Sequence, residues 1–166
     1  MQLDAECEVF TFKEGVLSAI AHDLRIRATR FEVETDGASF VKATIDPASL
    51  RVVCARKGGV DDPRSLSDAD KRTIEGNIVN DVLGRDEIRF ASTEVAEEGE
   101  GFRVRGDLTL AGKTKPIEFV TRREGARQVA EVTIHQPDFG IRPYRAMLGT
   151  LRVQADVRVR VAAKIG

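Results

Sequence analysis

This 166-residue chain contains two histidines, whose imidazole groups could act as metal ligands or as acid–base catalysts. His22 and Asp23 are adjacent, as in metal-dependent phosphohydrolases that use a neighbouring His and Asp as ligands. Such a site needs further imidazoles, and His135 is the only other histidine. We therefore favour a structural role for His22, at the entry to a strand and hydrogen-bonded to backbone or to a carboxylate.

Other patterns typical of catalysis are missing from the sequence. The serines lie outside any G-x-S-x-G context, and neither cysteine adjoins a histidine. Gly58-Gly59 lacks the lysine and the helix start of a phosphate-binding loop. The sequence predicts a protein that is not an enzyme, with no metal and no cofactor. An enzyme that uses His22 with Asp23, or His135, is the least favoured alternative.

Charge and hydropathy indicate which classes of partner and which cellular compartment to expect. The 26 basic residues nearly balance the 27 acidic ones, so no uncompensated basic surface for nucleic acid is expected. The first residues, MQLDAECEVF, lack a signal-peptide pattern, and no apolar run is long enough to span a membrane. These observations predict a cytoplasmic protein without a membrane span. Cys7 and Cys54 are predicted to be reduced thiols, with a bridge between them as the alternative.

Strict alternation of apolar and polar residues identifies β-strands, because successive side chains point to opposite faces. The segment 102–110 alternates and is followed, after the turn-like Ala111-Gly112-Lys113, by a partner strand at 117–121. The C-terminus predicts one long strand with one dry face, made by Leu151, Val153, Ala155, Val157, Val159, Val161 and Ala163.

Further strands complete an all-β protein. Leu24 and Ile26 share one parity, whereas Phe31 and Val33 have the other, which predicts a bulge or bend near Thr29. Other strand candidates are 6–13, 39–45, 50–55, 87–95 and 128–136. We predict a single domain, residues 1–166, that forms an antiparallel β-barrel of about eight strands.

One segment departs from the strand pattern. Apolar residues recur at helical spacing between 68 and 83, and Ser67 with Asp70 resembles a helix cap. We predict one amphipathic helix there. The preceding residues 57–65 are rich in Gly, Asp and Pro, which predicts a long loop.

The predicted barrel interior allows two interpretations. The chain has eight Phe, one Tyr and no Trp to fill it. Many inward candidates are small, namely Ala28, Ala43, Gly106, Ala130 and Ala155. A barrel of this size either packs its interior with side chains or leaves a space for one slender ligand, and these observations leave both open.

Four segments of the sequence resemble those of a known family. They are GVLSAIAHDLRI, IRFASTEV, VRGDLTLAGKTKPIEF and DFGIRPYRAMLGTLRVQADVRVRV, and the resemblance covers about residues 10–161. In order and approximate spacing they resemble the YceI-like family of lipocalin-like barrels. The most specific elements are Asp138-Phe139-Gly140-Ile141 and a pattern formed by Gly106, Leu108, Thr109, Leu110, Gly112, Thr114, Lys115 and Pro116.

The resemblance implies a function without catalysis. It implies a barrel that binds a long-chain apolar molecule, such as an isoprenoid or the tail of an isoprenoid quinone, in an elongated tunnel. Thr29 stands where the family usually has a glycine. The residues implied for the tunnel wall or mouth are His22, Leu24, Ile26, Phe31, Phe90, Leu108, Phe119, Phe139 and Ile141. The alternative is a packed, ligand-free barrel that contacts a protein partner or a second copy of itself as a homodimer.

Overall fold

The computed structural model describes residues 2–14, 22–146 and 151–165. Its strands are β1 (Ala5–Thr11), β2 (Lys13–Glu14), β3 (Asp23–Ala28), β4 (Phe31–Thr35), β5 (Val41–Ile45), β6 (Leu50–Lys57), β7 (Val60–Asp62), β8 (Ile88–Glu98), β9 (Gly101–Leu110), β10 (Lys113–Glu124), β11 (Arg127–His135), β12 (Arg145–Ala146), β13 (Leu151–Val153) and β14 (Asp156–Lys164). Eleven of them form one antiparallel sheet in the order β4-β5-β8-β9-β10-β11-β14-β1-β3-β6-β7. The order β12-β13-β2 makes a second, small sheet.

The large sheet curls until its two sides meet. Gln2 forms an antiparallel bridge with Glu34, and the Leu3 N–H donates to the Val33 carbonyl oxygen at 2.9 Å. Residues just before β1 thus pair with β4, while β1 itself pairs with β14 and β3. The prediction of an antiparallel barrel is confirmed.

A corner at Thr29 and Arg30 separates β3 from β4, as the switch in parity predicts. The Thr29 N–H and Oγ1 both donate to the Ser49 carbonyl oxygen, at 3.0 and 2.7 Å. The Asp46 N–H donates to the Arg30 carbonyl oxygen at 3.2 Å, and the Arg30 guanidinium pairs with the Asp46 carboxylate. Hydrogen bonds to the turn before β6 hold the corner, so it needs no residue with positive φ.

The strand count differs from the prediction of about eight. The corner divides one continuous wall strand into β3 and β4. The predicted loop 57–65 contains β7, because Gly58 and Gly59, with φ of 58° and 79°, make a tight turn that pairs β7 with β6. The single predicted C-terminal strand is broken at Gln154, whose N–H donates to the Phe12 carbonyl oxygen at 2.8 Å.

The predicted helix 68–83 is present in two parts. α1 (Asp68–Asn77) begins at a capping box, in which Ser67 and Asp70 bond each other's backbone N–H groups. Residues Ile78–Leu83 continue it as a wider π-helical turn that ends at Gly84. Glu75 Oε1 accepts the Val52 N–H at 3.1 Å and ties the helix to β6.

Gly106 on β9 is required by a close approach inside the wall. A Cβ there would lie 2.4 Å from the Ala91 carbonyl oxygen and 2.5 Å from the Phe90 ring. The Phe90 ring therefore lies over the glycine, and the backbone oxygen leaves no room for a side chain. This contact fixes the direction in which Phe90 points.

We predict that Gly106→Ala lowers the free energy of unfolding by about 1–3 kcal/mol, the usual cost of overpacking. Urea unfolding followed by circular dichroism measures the change. Gly76→Ala is the control, because its Cβ would meet nothing closer than 4.0 Å and alanine favours a helix. Equal stability of Gly106→Ala and the native chain would contradict the argument.

Candidate functional site: a cavity inside the barrel

The barrel encloses a cavity of about 300 Å³ whose wall comes from strands on every side and from the helical segment. Most of the lining residues are Val, Leu, Ile, Phe or Ala, and among the described residues none is charged. The remaining lining residues are one glycine and five uncharged polar residues, namely Gly37, Thr11, Thr35, Thr121, Gln128 and Gln136. Burial of an apolar ligand is the chemistry that such a wall supports.

Alternating residues of the long strands supply the wall, as the sequence pattern predicts. On β14 the cavity is lined by Val157, Val159, Val161 and Ala163. On β9 it is lined from Phe102 to Leu110. Eight steps of about 3.3 Å give about 26 Å along the strand, or about 20 Å along the axis of a barrel with tilted strands. The cavity is therefore long and slender.

The interior is not filled by side chains. Phe119, Val132 and Val159 line the cavity, yet each is only half-buried, because each faces open space. The Phe90 and Phe119 rings, on the two strands that flank β9, lie beside each other on the same wall with their centroids 5.5 Å apart. The alternative of a packed barrel core is therefore wrong for this structure.

The two ends of the cavity differ. At one, called here the helix end, Ile78, Val82 and Leu83 of the helical segment line the cavity. Leu83 also packs against both hydrophobic clusters of the core. At the other, called here the open end, lining residues Gly37, Ala38 and Ile165 are exposed to solvent. Among the described residues, these three give the cavity contact with water at the open end.

Six of the nine site residues from the sequence line the cavity: Ile26, Phe31, Phe90, Leu108, Phe119 and Ile141. Three do not. Leu24 is buried in a cluster with Cys7 and Leu50, and Phe139 in a cluster with Ile134. The half-buried His22 directly precedes β3. The contribution of all nine to binding stays a prediction.

The residue list from the sequence missed much of the wall. Val132 and Ala130 on β11 line the cavity, as does the helical segment through Ile78 and Val82. Alternation on β11 and the apolar spacing of the helix were the available signals. Neither signal shows whether a face borders a cavity or a packed core.

The polar groups of the wall mostly bond to each other or to backbone. Thr35 Oγ1 donates to the Phe40 carbonyl oxygen at 2.6 Å, and Gln136 Nε2 donates to the Gln154 carbonyl oxygen at 3.2 Å. Thr11 Oγ1 is buried and has no hydrogen-bond partner among the residues that the structure describes. A ligand in the middle of the cavity therefore meets mainly carbon atoms.

Asp23 and His135 have local partners outside the cavity wall. Asp23 Oδ1 accepts the Lys13 N–H at 2.7 Å, and His135 Nδ1 lies 2.6 Å from Asp156 Oδ1 on the exposed outer face. Within 2–14, 22–146 and 151–165, no group of three or more His, Cys, Asp or Glu side chains is placed to hold a metal ion. The geometry thus gives His22 and Asp23 no metal partners in those ranges.

Both cysteines are buried free thiols. Cys7 is on β1 and Cys54 on β6, with β3 between them. Strands two apart are separated by about 9–10 Å, beyond the reach of a disulfide. The alternative of a Cys7–Cys54 bridge is therefore wrong. Burial raises the pKa of the Cys7 thiol to about 12, and burial also raises that of Cys54.

Comparison with known proteins agrees with this geometry. The model of the YceI-like domain matches residues 2–165. The chain belongs to the YceI-like family. A UPF0312 protein from Photorhabdus laumondii is 61% identical over 31 residues, which are 19% of this chain and only 16% of that protein.

Solved structures share the YceI-like fold at low identity. BcnA from Burkholderia cenocepacia has a TM-score of 0.66 at 16% identity, covering 99% of both chains. A polyisoprenoid-binding domain from Saccharophagus degradans has a TM-score of 0.62 at 13% identity, covering 98% of this chain and 95% of that one. In the described ranges, no helix has the length and hydropathy needed to cross a bilayer.

The burial of Cys7 and Cys54 predicts that neither thiol reacts readily in the folded protein. In the native protein both cysteines should resist a thiol-specific reagent such as DTNB at pH 8, since the thiolate is disfavoured and shielded. Both should react once guanidinium unfolds the chain. Cys54→Ser assigns the two signals. Native labelling at a rate near that of free cysteine would contradict the burial.

The His135–Asp156 pair predicts a pH effect. The hydrogen bond to Asp156 raises the pKa of His135 above its ordinary 6.5. A raised folded-state pKa means that the pair stabilises the fold below about pH 6.5 and stops doing so as pH rises through the folded pKa. Titration of the imidazole NMR signals should show this pKa falling in Asp156→Asn. An unchanged pKa in that variant would contradict the pairing.

Proposed function

We propose that this protein binds a long, slender apolar molecule of the isoprenoid type inside its barrel and carries or sequesters it. The observation that carries the proposal is the elongated cavity of about 300 Å³ with no charged residue among its described lining. The volume lies at the lower end of the roughly 300–1,000 Å³ of ligand pockets. It suits one chain rather than a broad ring system.

The family supports the class of ligand. The chain belongs to the YceI-like family, and the neighbour from Saccharophagus degradans is described as a polyisoprenoid-binding domain. Among the described residues, the cavity wall has no His, Cys, Lys, Tyr, Asp or Glu side chain, the groups that most often serve acid–base or nucleophilic catalysis. Binding rather than turnover is therefore the proposed role.

The hydrophobic effect supplies the binding energy. Each Å² of apolar ligand surface removed from water contributes about 25 cal/mol. The wall is largely pre-formed by paired strands, so little ordering of the protein opposes binding. A long chain that contacts the wall over much of its length gains most.

The first experiment asks which molecule the protein carries. Purified protein is measured by native mass spectrometry and then extracted with organic solvent for lipid analysis. We expect an apolar molecule at close to one per chain. Several preparations that contain no such molecule and do not take up added all-trans-geranylgeraniol would refute the proposal.

The second experiment fills the cavity. Val132→Phe should weaken geranylgeraniol binding about 5- to 150-fold in calorimetry, because overpacking costs about 1–3 kcal/mol. Val120→Phe is the matched control, since Val120 is 45% exposed on the outer face. Equal affinity of both variants would place the ligand elsewhere.

A further inference from the structure

The barrel wall has one boundary, between β10 and β11, at which two neighbouring strands part. They pair only at 121–124 with 127–130, next to their hairpin turn. Farther from the turn, β10 pairs with β9 and β11 pairs with β14. Among the residues that the structure describes, no pairing joins 114–120 of β10 to 131–135 of β11. These two unpaired edges are called here the seam.

The direction of the backbone groups along the seam follows from the hairpin turn that precedes β10. Ala111 and Gly112, with φ of 50° and 76°, make a two-residue turn, so Lys113 forms the first hydrogen-bonded pair with β9. Hydrogen-bonded positions alternate in an antiparallel ladder, so the backbone groups of Pro116 and Glu118 face β11. Proline has no N–H to donate there. Pro116 therefore suits an edge that stays unpaired.

Apolar side chains, rather than backbone bonds, connect the two edges of the seam. Residues on both edges line the cavity, namely Ile117, Phe119, Val132 and Ile134. Phe139 lies in one buried cluster with Ile134, and Ile117 packs against that cluster. The cluster thus joins β10 to β11 where their ladder has ended. Dispersion contacts hold the seam closed.

Phe139 is carried by a short turn that reaches from one edge of the seam to the other. The turn, Gln136–Phe139, directly follows β11 and packs against β10. It ends at Gly140, whose φ of 70° allows the Gly140 N–H to donate to the Pro137 carbonyl oxygen at 3.0 Å. The Ile141 N–H donates to the Gln136 carbonyl oxygen at 3.1 Å. The turn bonds mainly within itself, so it can shift without breaking the ladder of the wall.

We propose that the apolar ligand enters and leaves the cavity sideways through the seam, and that Phe139 is the residue that closes it. The inference rests on the proposed function. Parting the seam separates apolar side chains and breaks no strand pairing, whereas parting β9 from β10, or β11 from β14, breaks a continuous ladder. A long chain that enters sideways also avoids being threaded end-on along the whole wall.

The first test locks the seam. The double variant Glu118→Cys/Thr133→Cys places one exposed thiol on each edge, and a flexible bismaleimide joins them. Exchange of bound geranylgeraniol for its deuterated form, followed by native mass spectrometry, should slow about tenfold or more, with affinity changed less than about twofold. Arg105→Cys/Glu118→Cys with the same linker is the matched control, because these residues pair across β9 and β10. Equal exchange rates in the two crosslinked proteins would overturn the proposal and indicate entry through the open end.

The second test reduces the ring that closes the seam. Phe139→Leu should exchange geranylgeraniol about tenfold faster, because a smaller side chain fills the seam less completely. Phe10→Leu is the control: Phe10 is 8% exposed and Phe139 is 4% exposed, but Phe10 contacts Arg56 and Arg158 on the outer face. Equal acceleration in both variants would attribute the effect to lost stability and overturn the role of Phe139. Failure of the native chain to bind geranylgeraniol would instead reject the proposed function.

Discussion

The structure depends on a closed wall whose backbone groups are satisfied by strand pairing and not by the interior. The pairs β8–β9, β9–β10 and β11–β14 run over most of the strand lengths, whereas β10 and β11 pair only at 121–124 and 127–130. The bridge between Gln2 and Glu34 joins the two sides of the sheet. A wall of this kind holds its shape even though inward side chains do not meet across it. Unfilled space still forfeits dispersion contacts. The helical segment supplies dispersion contacts at one end of the barrel, where it packs on the two hydrophobic clusters.

Much of this fold could be predicted, because a two-residue period states directly which side chains share a face. The alternation of 102–110 gave the inward face of β9, and the parity switch near Thr29 gave the corner. The break at Gln154 was invisible, since Val153, Ala155 and Val157 keep the same parity on both sides of it. At that break the Gln154 N–H bonds to the carbonyl oxygen of Phe12, which is distant in sequence. Local patterns do not contain such a contact.

The cavity wall could be predicted in part for the same reason. Periodicity assigned Leu24 to an inward set together with Ile26, but only Ile26 lines the cavity, and Leu24 is covered within its cluster. Whether a neighbouring element covers an inward residue depends on tertiary packing. A polar pocket beside the open end, lined by Glu97 and Arg127 among others, was harder still to predict. These two residues come from separate hairpins that meet only in the closed sheet. In sequence, such charges are typical of solvated turns.

The difference between the two ends gives the barrel a direction that apolar burial alone cannot provide. The hydrophobic effect is non-directional and proportional to area, so a uniform tunnel would accept a chain in either orientation. Here Leu83 packs against both core clusters at one end, whereas Gln128, bonded to Thr121 and to the Glu100 carbonyl oxygen, places fixed polar groups at the other. An amphiphile would bind in one preferred orientation, because its polar head would lose hydrogen bonds at the helix end and would keep them at the open end. Orientation therefore comes from the two ends, and affinity from the wall between them.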